Sequence, residues 1–102
     1  MQNFHAIGRL TRAPKLVYSG EKPRCEMVLA VEDRERNRTD FFPIVAWHQQ
    51  AINCANYLVK GQEVSIYGKW RSSNYKKDGQ PMIKFEVEIT EIKFLQAPKQ
   101  AN

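Results

Sequence analysis

Alternation of apolar and polar residues with a period of two runs through most of this 102-residue chain and predicts a mostly β fold. The clearest run places one face at Cys25, Met27, Leu29 and Val31. The last run is expected to bury Ile83, Phe85, Val87 and Ile89. Its phase then changes near Thr90, which predicts a β-bulge or bend where a strand turns a barrel corner.

Only residues 49–58 have helical spacing, and Gly61 follows them as the expected left-handed terminator. Hairpin turns are predicted at 33–38 and 77–80, and the first strand breaks at 11–14 before it resumes. The resulting order, β-β-β-α-β-β, predicts an all-β fold: a five-stranded Greek-key barrel of the OB type with one helix between strands 3 and 4. We expect one domain over residues 1–95 and a short polar tail over 96–102.

Several classes of protein are excluded by what the chain lacks. No apolar run approaches the roughly 20 residues of a membrane helix, and the first residues do not resemble a secretory signal, so we expect a cytoplasmic protein without a membrane partner. Cys25 and Cys54 are interpreted as buried hydrophobic residues. His5 and His48 lack a neighbouring nucleophile or paired acid. We therefore predict no enzyme, no metal site and no cofactor.

Basic residues are concentrated in two stretches of the chain. The 16 Lys and Arg exceed the 11 Asp and Glu by five, and residues 1–20 and 64–77 contain no acid. The second stretch carries Lys69, Arg71, Lys76 and Lys77. Such stretches would bind a polyanion by releasing counterions, although a solvated surface explains the charge alone equally well.

Aromatic and basic residues alternate together on two predicted strands. One strand presents Tyr67, Lys69, Arg71 and Tyr75 on a single face, and the preceding strand presents Phe41, Val45 and Trp47. Side chains two residues apart lie about 6.5–7 Å from each other, a spacing at which rings can stack on successive bases while cations contact phosphates. A core or subunit interface is the alternative for any one ring, but the set favours nucleic-acid binding. Trp70 has the opposite phase, which predicts a core position that could reach an interface.

An ordered series of motifs resembles the bacterial and phage single-stranded DNA-binding proteins of the tetrameric OB-fold type. The matching segments are residues 7–12 with Pro14 and Tyr18, 29–31, 39–47, Ala51 with 57–58, 60–61 and Val64, then Gly68, Tyr75, Gly79 and 86–87. The resemblance extends over roughly residues 2–95.

The resemblance implies a non-enzymatic protein that protects single-stranded DNA with little sequence preference in replication, recombination or repair, and that associates with the nucleoid. It implies a homotetramer, with a dimer as the smaller alternative. Its stacking positions correspond to Phe41, Trp47 and Tyr75. Its basic positions correspond to Arg9, Lys69 and Arg71, and less closely to Lys60. Tyr67 and Trp70 are further candidates for ring contacts, and Lys76 and Lys77 for phosphate contacts.

Two departures from the family pattern bear on how the chain would bind its partners. A further stacking aromatic before the third strand is absent, and we expect Arg34, Arg36 and Arg38 in this region to supply charge instead. An acidic tail with a hydrophobic tip is also absent, so recruitment of repair enzymes through such a tail is not expected unless the sequence is truncated. Two alternatives stay open: an OB-fold adaptor of the primosomal type that bridges replication proteins, and a binder of single-stranded RNA.

Overall fold

The computed structural model describes residues 3–97, so most of the tail predicted over 96–102 lies outside the described residues. The elements are β1 (Asn3–Leu10), β2 (Lys15–Ser19), β3 (Lys22–Asp33), β4 (Arg38–Trp47), α1 (His48–Tyr57), β5 (Glu63–Lys77) and β6 (Gln80–Phe94). β2 continues along β3 after the break at 11–14, as the sequence predicts.

The sheet closes into a five-stranded barrel, which confirms the predicted OB-type architecture. The strands are hydrogen-bonded in the order β1-β5-β6-β4-β3, and β1 pairs again with β3 to complete the ring. All neighbouring pairs are antiparallel except β4 and β6, which run parallel at Ile44 and Val45. The part of β4 before Ile44 therefore lacks a partner on the β6 side, and Pro43 lies in that part, where a missing amide hydrogen is tolerated.

Two glycines permit the close approach of neighbouring strands. A Cβ atom at Gly8 would lie 2.3 Å from the carbonyl oxygen of Ala30 on β3. A Cβ atom at Gly68 would lie 2.4 Å from the carbonyl oxygen of Glu88 on β6. A small barrel closes tightly at these positions because its strands carry no side chain there.

The core is formed by the inward face of each strand together with one side of α1. Its buried side chains include those of Leu10, Met27, Leu29, Val64 and Ile66. Cys25 and Cys54 are also fully buried, which confirms their interpretation as small hydrophobic residues. Helix α1 packs mainly on β3 and covers one end of the barrel through Ala51 and Cys54.

Helix α1 begins and ends one residue earlier than the sequence predicts. Leu58 ends it with an extended backbone, and its amide donates to the carbonyl of Cys54 at 3.0 Å. Gly61 does have a positive φ of 84°, but it belongs to a separate turn closed by the amide of Gln62 and the carbonyl of Val59. The prediction that Gly61 terminates the helix is therefore wrong.

The predicted bulge lies at Thr90. Tyr67 pairs with Glu91 and Gly68 with Ile89, so Thr90 has no partner on β5. The turn between β5 and β6 has positive φ at Asp78 and Gly79, as a two-residue hairpin requires.

The prediction that Ile83 and Phe85 are buried is wrong. Val87 and Ile89 occupy the core, whereas Ile83 and Phe85 are 62% and 57% exposed. They have the inward phase, but the β5–β6 hairpin extends past the end of the barrel, where no strand lies beneath them. Strand phase predicts the direction in which a side chain points but not whether other residues bury it.

Candidate nucleic-acid interface

Four side chains of β5 lie on the outer face of the barrel with the phase predicted for them. Tyr67, Lys69, Arg71 and Tyr75 are exposed, while the intervening Ile66 and Gly68 are buried. Tyr75 is opposite Met82 near the hairpin turn. The strand therefore presents two rings, with two cations between them, on a surface that the core does not use.

Tyr67 and Trp70 lie in different environments. The ring of Tyr67 stacks on the imidazole of His5 on β1, with centroids 4.9 Å apart and planes inclined by 27°. Trp70 points inward and makes edge contacts with Phe4 at 5.6 Å and Phe42 at 6.0 Å. The core phase predicted for Trp70 is therefore confirmed, and only Tyr67 of this pair faces outward.

Phe41 lies on the outer face of β4, opposite Ala30 of β3. Its ring is 62% exposed and makes no ring–ring contact with any residue among 3–97. A large apolar ring in water with no partner is an unused stacking surface.

Val45 has the same phase as Phe41 but is not accessible. It faces outward between Glu26 of β3 and Glu88 of β6, yet only 1% of its surface is exposed. Since almost none of its surface is accessible, Val45 supports this face and does not contact a ligand.

Trp47 ends β4 and is half-buried. Arg24 is its direct neighbour on β3, and the guanidinium carbon lies 5.2 Å from the centroid of the indole, over the ring. Arg24 also donates two hydrogen bonds to Glu86, from Nη1 to Oε2 at 2.9 Å and from Nη2 to Oε1 at 2.7 Å. A third bond, from Nε to Oε2 of Glu26, measures 3.1 Å.

This ion-pair network changes the protonation equilibria of its members. The hydrogen bond from Arg24 holds the pKa of Glu86 below its ordinary value of 4.5, with burial opposing the effect. The hydrogen bond to Glu86 raises the pKa of Arg24 in return. Both groups therefore stay charged near neutral pH.

The predicted phosphate contacts fall into two groups. Four arginines are near carboxylates of residues 3–97: Arg9 at 3.8 Å from Glu63, Arg36 at 4.0 Å from Asp33, Arg38 at 2.7 Å from Asp40 and Arg71 at 3.5 Å from Glu88. Five other cations make no ion pair within the described residues: Lys60, Arg34, Lys69, Lys76 and Lys77. The second group needs no rearrangement before it can meet a phosphate.

The structure brings some of these cations together and separates others. Arg9 donates to the carbonyl of Gly61 at 3.0 Å, which places it beside the turn that carries Lys60. Arg9 and Arg34 line one surface depression of about 600 Å³. Lys76, by contrast, has the opposite phase to Tyr75 and points to the other face of the hairpin.

Sequence reasoning missed Arg24 and Glu86. They are 62 residues apart, and both have the alternating phase of an ordinary solvated strand. No local signal joins them, because their proximity follows from the order β3-β4-β6 in the closed sheet.

The described residues contain no group of three or more His, Cys, Asp and Glu side chains that could hold a metal ion. Burial raises the pKa of Cys25 to about 11 and that of Cys54 to about 12, so neither thiol is an activated nucleophile. No helix in residues 3–97 has the length and apolar character needed to cross a membrane.

Comparison with known proteins gives a consistent result. The model of the single-strand binding protein family matches residues 1–95. Single-stranded DNA-binding protein 2 of Clostridium acetobutylicum is 38% identical over 103 residues, covering 94% of this chain and 77% of the relative. Single-stranded DNA-binding protein of Clostridium tetani is also 38% identical, covering 94% and 71%. Single-stranded DNA-binding protein A of Bacillus subtilis is 33% identical, covering 88% and 56%.

Proposed function

Because this chain belongs to the single-strand binding protein family, whose members bind DNA and catalyse no reaction, we propose that it binds and protects single-stranded DNA with little sequence preference. Bases stack on Phe41, Trp47 and Tyr75, and the outer cations contact the phosphates between them. Stacking tolerates any base because every base has a π-face. We extend the proposal to replication, recombination and repair in the cytoplasm, where single-stranded DNA is exposed on the nucleoid.

One observation supports this proposal above the others: the exposed rings and the cations share the outer face. Phe41 is exposed on β4, and Tyr75 is exposed on the part of β5 that extends past the barrel, with Lys69 and Arg71 on the same face of β5 as Tyr75. A structural role would place such rings inward, where Trp70 already lies.

The stacking role is tested by Phe41→Ala with Tyr57→Ala as a matched control. Both residues are strongly exposed, 62% and 69%, but Tyr57 lies on helix α1 and lines a surface depression with Ile92 and Phe94 that includes no residue of β4 or β5. Loss of one stacking ring should cost about 1–3 kcal/mol of binding to an oligothymidine, measured by anisotropy of a labelled oligomer. We expect Tyr57→Ala to bind like the wild type. Equal losses in both variants, or no binding by the wild type at low salt, would contradict the proposal.

The choice between DNA and RNA is tested in the same assay. Stacking and phosphate contacts do not distinguish the two unless a group contacts the 2′-hydroxyl. We expect an unlabelled DNA oligomer to compete at least as well as a matched RNA oligomer. Stronger competition by RNA would favour the alternative of an RNA binder.

We further propose that the chain assembles as a homotetramer, or as a dimer at least. The proposal is supported by apolar side chains that the single chain leaves uncovered, including Ile83 and Phe85 on the hairpin and Ile7 on β1. Exposed apolar groups of this size are usually covered by another protein surface. Light scattering at micromolar concentration should give the mass of four chains, and Phe85→Ser should lower it while Tyr57→Ser does not. A monomeric wild type would overturn this proposal.

A further inference from the structure

We propose that Arg24 and Glu86 are positioning residues that hold the ring of Trp47 ready for a base. The inference rests on the proposed function, since it assigns the two residues a role in the same site. Neither residue contacts DNA in this scheme. Their effect passes through the indole.

The geometry of Arg24 connects three strands. Its backbone lies on β3, its guanidinium lies over the indole of Trp47 on β4, and its two terminal nitrogens are bonded to Glu86 on β6. The carboxylate therefore fixes both the position and the plane of the guanidinium, because two parallel hydrogen bonds leave little rotational freedom. The guanidinium in turn restricts the ring through a cation–π contact.

The charge of Arg24 is already compensated, which argues against a direct phosphate contact. All three guanidinium nitrogens donate to carboxylates, Nε to Glu26 and the other two to Glu86. The side chains of Arg24 and Glu86 are each only 17% exposed. A phosphate would have to displace a bidentate, partly buried carboxylate, whereas Lys69 on the same face forms no ion pair with any residue in 3–97.

Arg24 occupies one face of the Trp47 ring, so in this scheme a base stacks on the other face. Beside the ring is an open surface depression of about 370 Å³, lined by Trp47, His48, Ser19, Lys22 and Glu88. A base that stacks there meets a ring whose orientation is already set, so binding does not have to immobilise that side chain.

The double variant Arg24→Met/Glu86→Gln tests the proposal without changing the net charge. It should weaken binding to an oligothymidine by about two- to twelvefold, the range expected for ordering one side chain on binding. Arg24→Lys keeps the charge but cannot form the bidentate pair, so it should lose affinity as well. In a Trp70→Phe background, time-resolved fluorescence anisotropy should report greater mobility of Trp47 in both variants. Thermal unfolding verifies that each variant is folded before binding is measured.

The decisive measurement is a double-mutant cycle with Trp47→Ala. If Arg24 and Glu86 act through the ring, the Met/Gln pair should change affinity by less than twofold once Trp47 is alanine. In a Tyr75→Ala background the same pair should keep its full effect. An additive loss in the Trp47→Ala background, or wild-type affinity in Arg24→Lys, would overturn the proposal and indicate a phosphate contact instead.

Failure of this inference is distinguishable from failure of the proposed function. If the wild type binds the oligomer and Trp47→Ala weakens binding, the proposed function stands, and the cycle alone decides the role of Arg24 and Glu86. If the wild type does not bind, the proposed function fails before the cycle begins.

Discussion

Two lysines on the same strand provide a sharp test of which face of β5 meets the DNA. Lys69 and Lys76 are both exposed, and neither forms an ion pair within the described residues. The two side chains point to opposite faces of the strand. Lys69 is opposite Glu88 of β6 on the outer face, whereas Lys76 is opposite Pro81 on the other face of the hairpin. Lys69→Gln and Lys76→Gln therefore make the same chemical change on opposite sides.

The expected magnitude follows from counterion release. Each phosphate contact to a single strand contributes about 0.7 to the slope of log affinity against log salt. Raising the salt from about 50 to about 200 mM should therefore weaken binding by roughly 2.6-fold for each contact. We expect Lys69→Gln to lower the slope by about 0.7 and Lys76→Gln to leave it close to the wild-type value.

Titration of an oligothymidine at four or five salt concentrations measures both slopes, with quenching of the tryptophan fluorescence as the signal. The affinity of Lys69→Gln should differ most from that of the wild type at low salt and converge with it at high salt. Equal slopes for the two variants would refute the assignment of the DNA path to the outer face. They would instead indicate a diffuse attraction by the net charge.

Three other properties should follow from the structure. Gly68→Ala places a Cβ atom 2.4 Å from a backbone carbonyl oxygen of the neighbouring strand, so it should lower the free energy of unfolding, measured in urea, by about 1–3 kcal/mol or more. The control is Gly79→Ala, whose Cβ atom meets open space although its φ is +77°. A smaller loss of stability at Gly68 than at Gly79 would contradict the packing argument. Glu86 has a lowered pKa in the folded state, so its contribution to stability is present above the ordinary pKa of glutamate and is lost as the pH falls through the folded-state pKa. Urea unfolding at a series of acidic pH values should therefore show a smaller loss of stability in Glu86→Gln than in the wild type. The same loss in both proteins would count against the ion pair. Cys25 and Cys54 are fully buried with raised pKa values of about 11 and about 12, so an aromatic disulfide reagent at pH 8 should label them only after unfolding; rapid labelling of the native protein would disprove their burial.

Much of the fold could be predicted because each strand alternates according to local rules. The phase of residues 25–31, the bulge at Thr90 and the turn at 77–80 all depend on neighbours within a few positions. The exposure of Ile83 and Phe85 could not be predicted in this way, because it depends on how far the β5–β6 hairpin extends past the barrel. That length is set by the pairing partners of both strands and has no signature in the alternation itself.

Some features of the candidate site could likewise be predicted from local sequence, and others could not. The outward phase of Lys69, Arg71 and Tyr75 is a local property, and the structure has it as predicted. The pairing of Arg24 with Glu86 is a property of sheet order, since it needs β4 to lie between β3 and β6. An ion pair between distant positions leaves no periodic pattern in the sequence. The alternation that predicts the outward rings therefore cannot predict the pairing of Arg24 with Glu86 beside Trp47.

The location of the ion-pair network of Arg24, Glu26 and Glu86 on the outer face follows from the size of the barrel. A five-stranded barrel can fill its core with only one face of each strand, so rings on the outer face have no packed layer to fix their orientation. Val45 shows that the chain orders part of this face by other means, since it points outward between Glu26 and Glu88 and yet is only 1% exposed. Trp47 lies within this ordered region, whereas Phe41 lies outside it with no ring partner among the described residues. The two rings of β4 should therefore contribute differently to binding: Trp47 as a preset platform, and Phe41 as a ring that loses its rotational freedom when a base arrives.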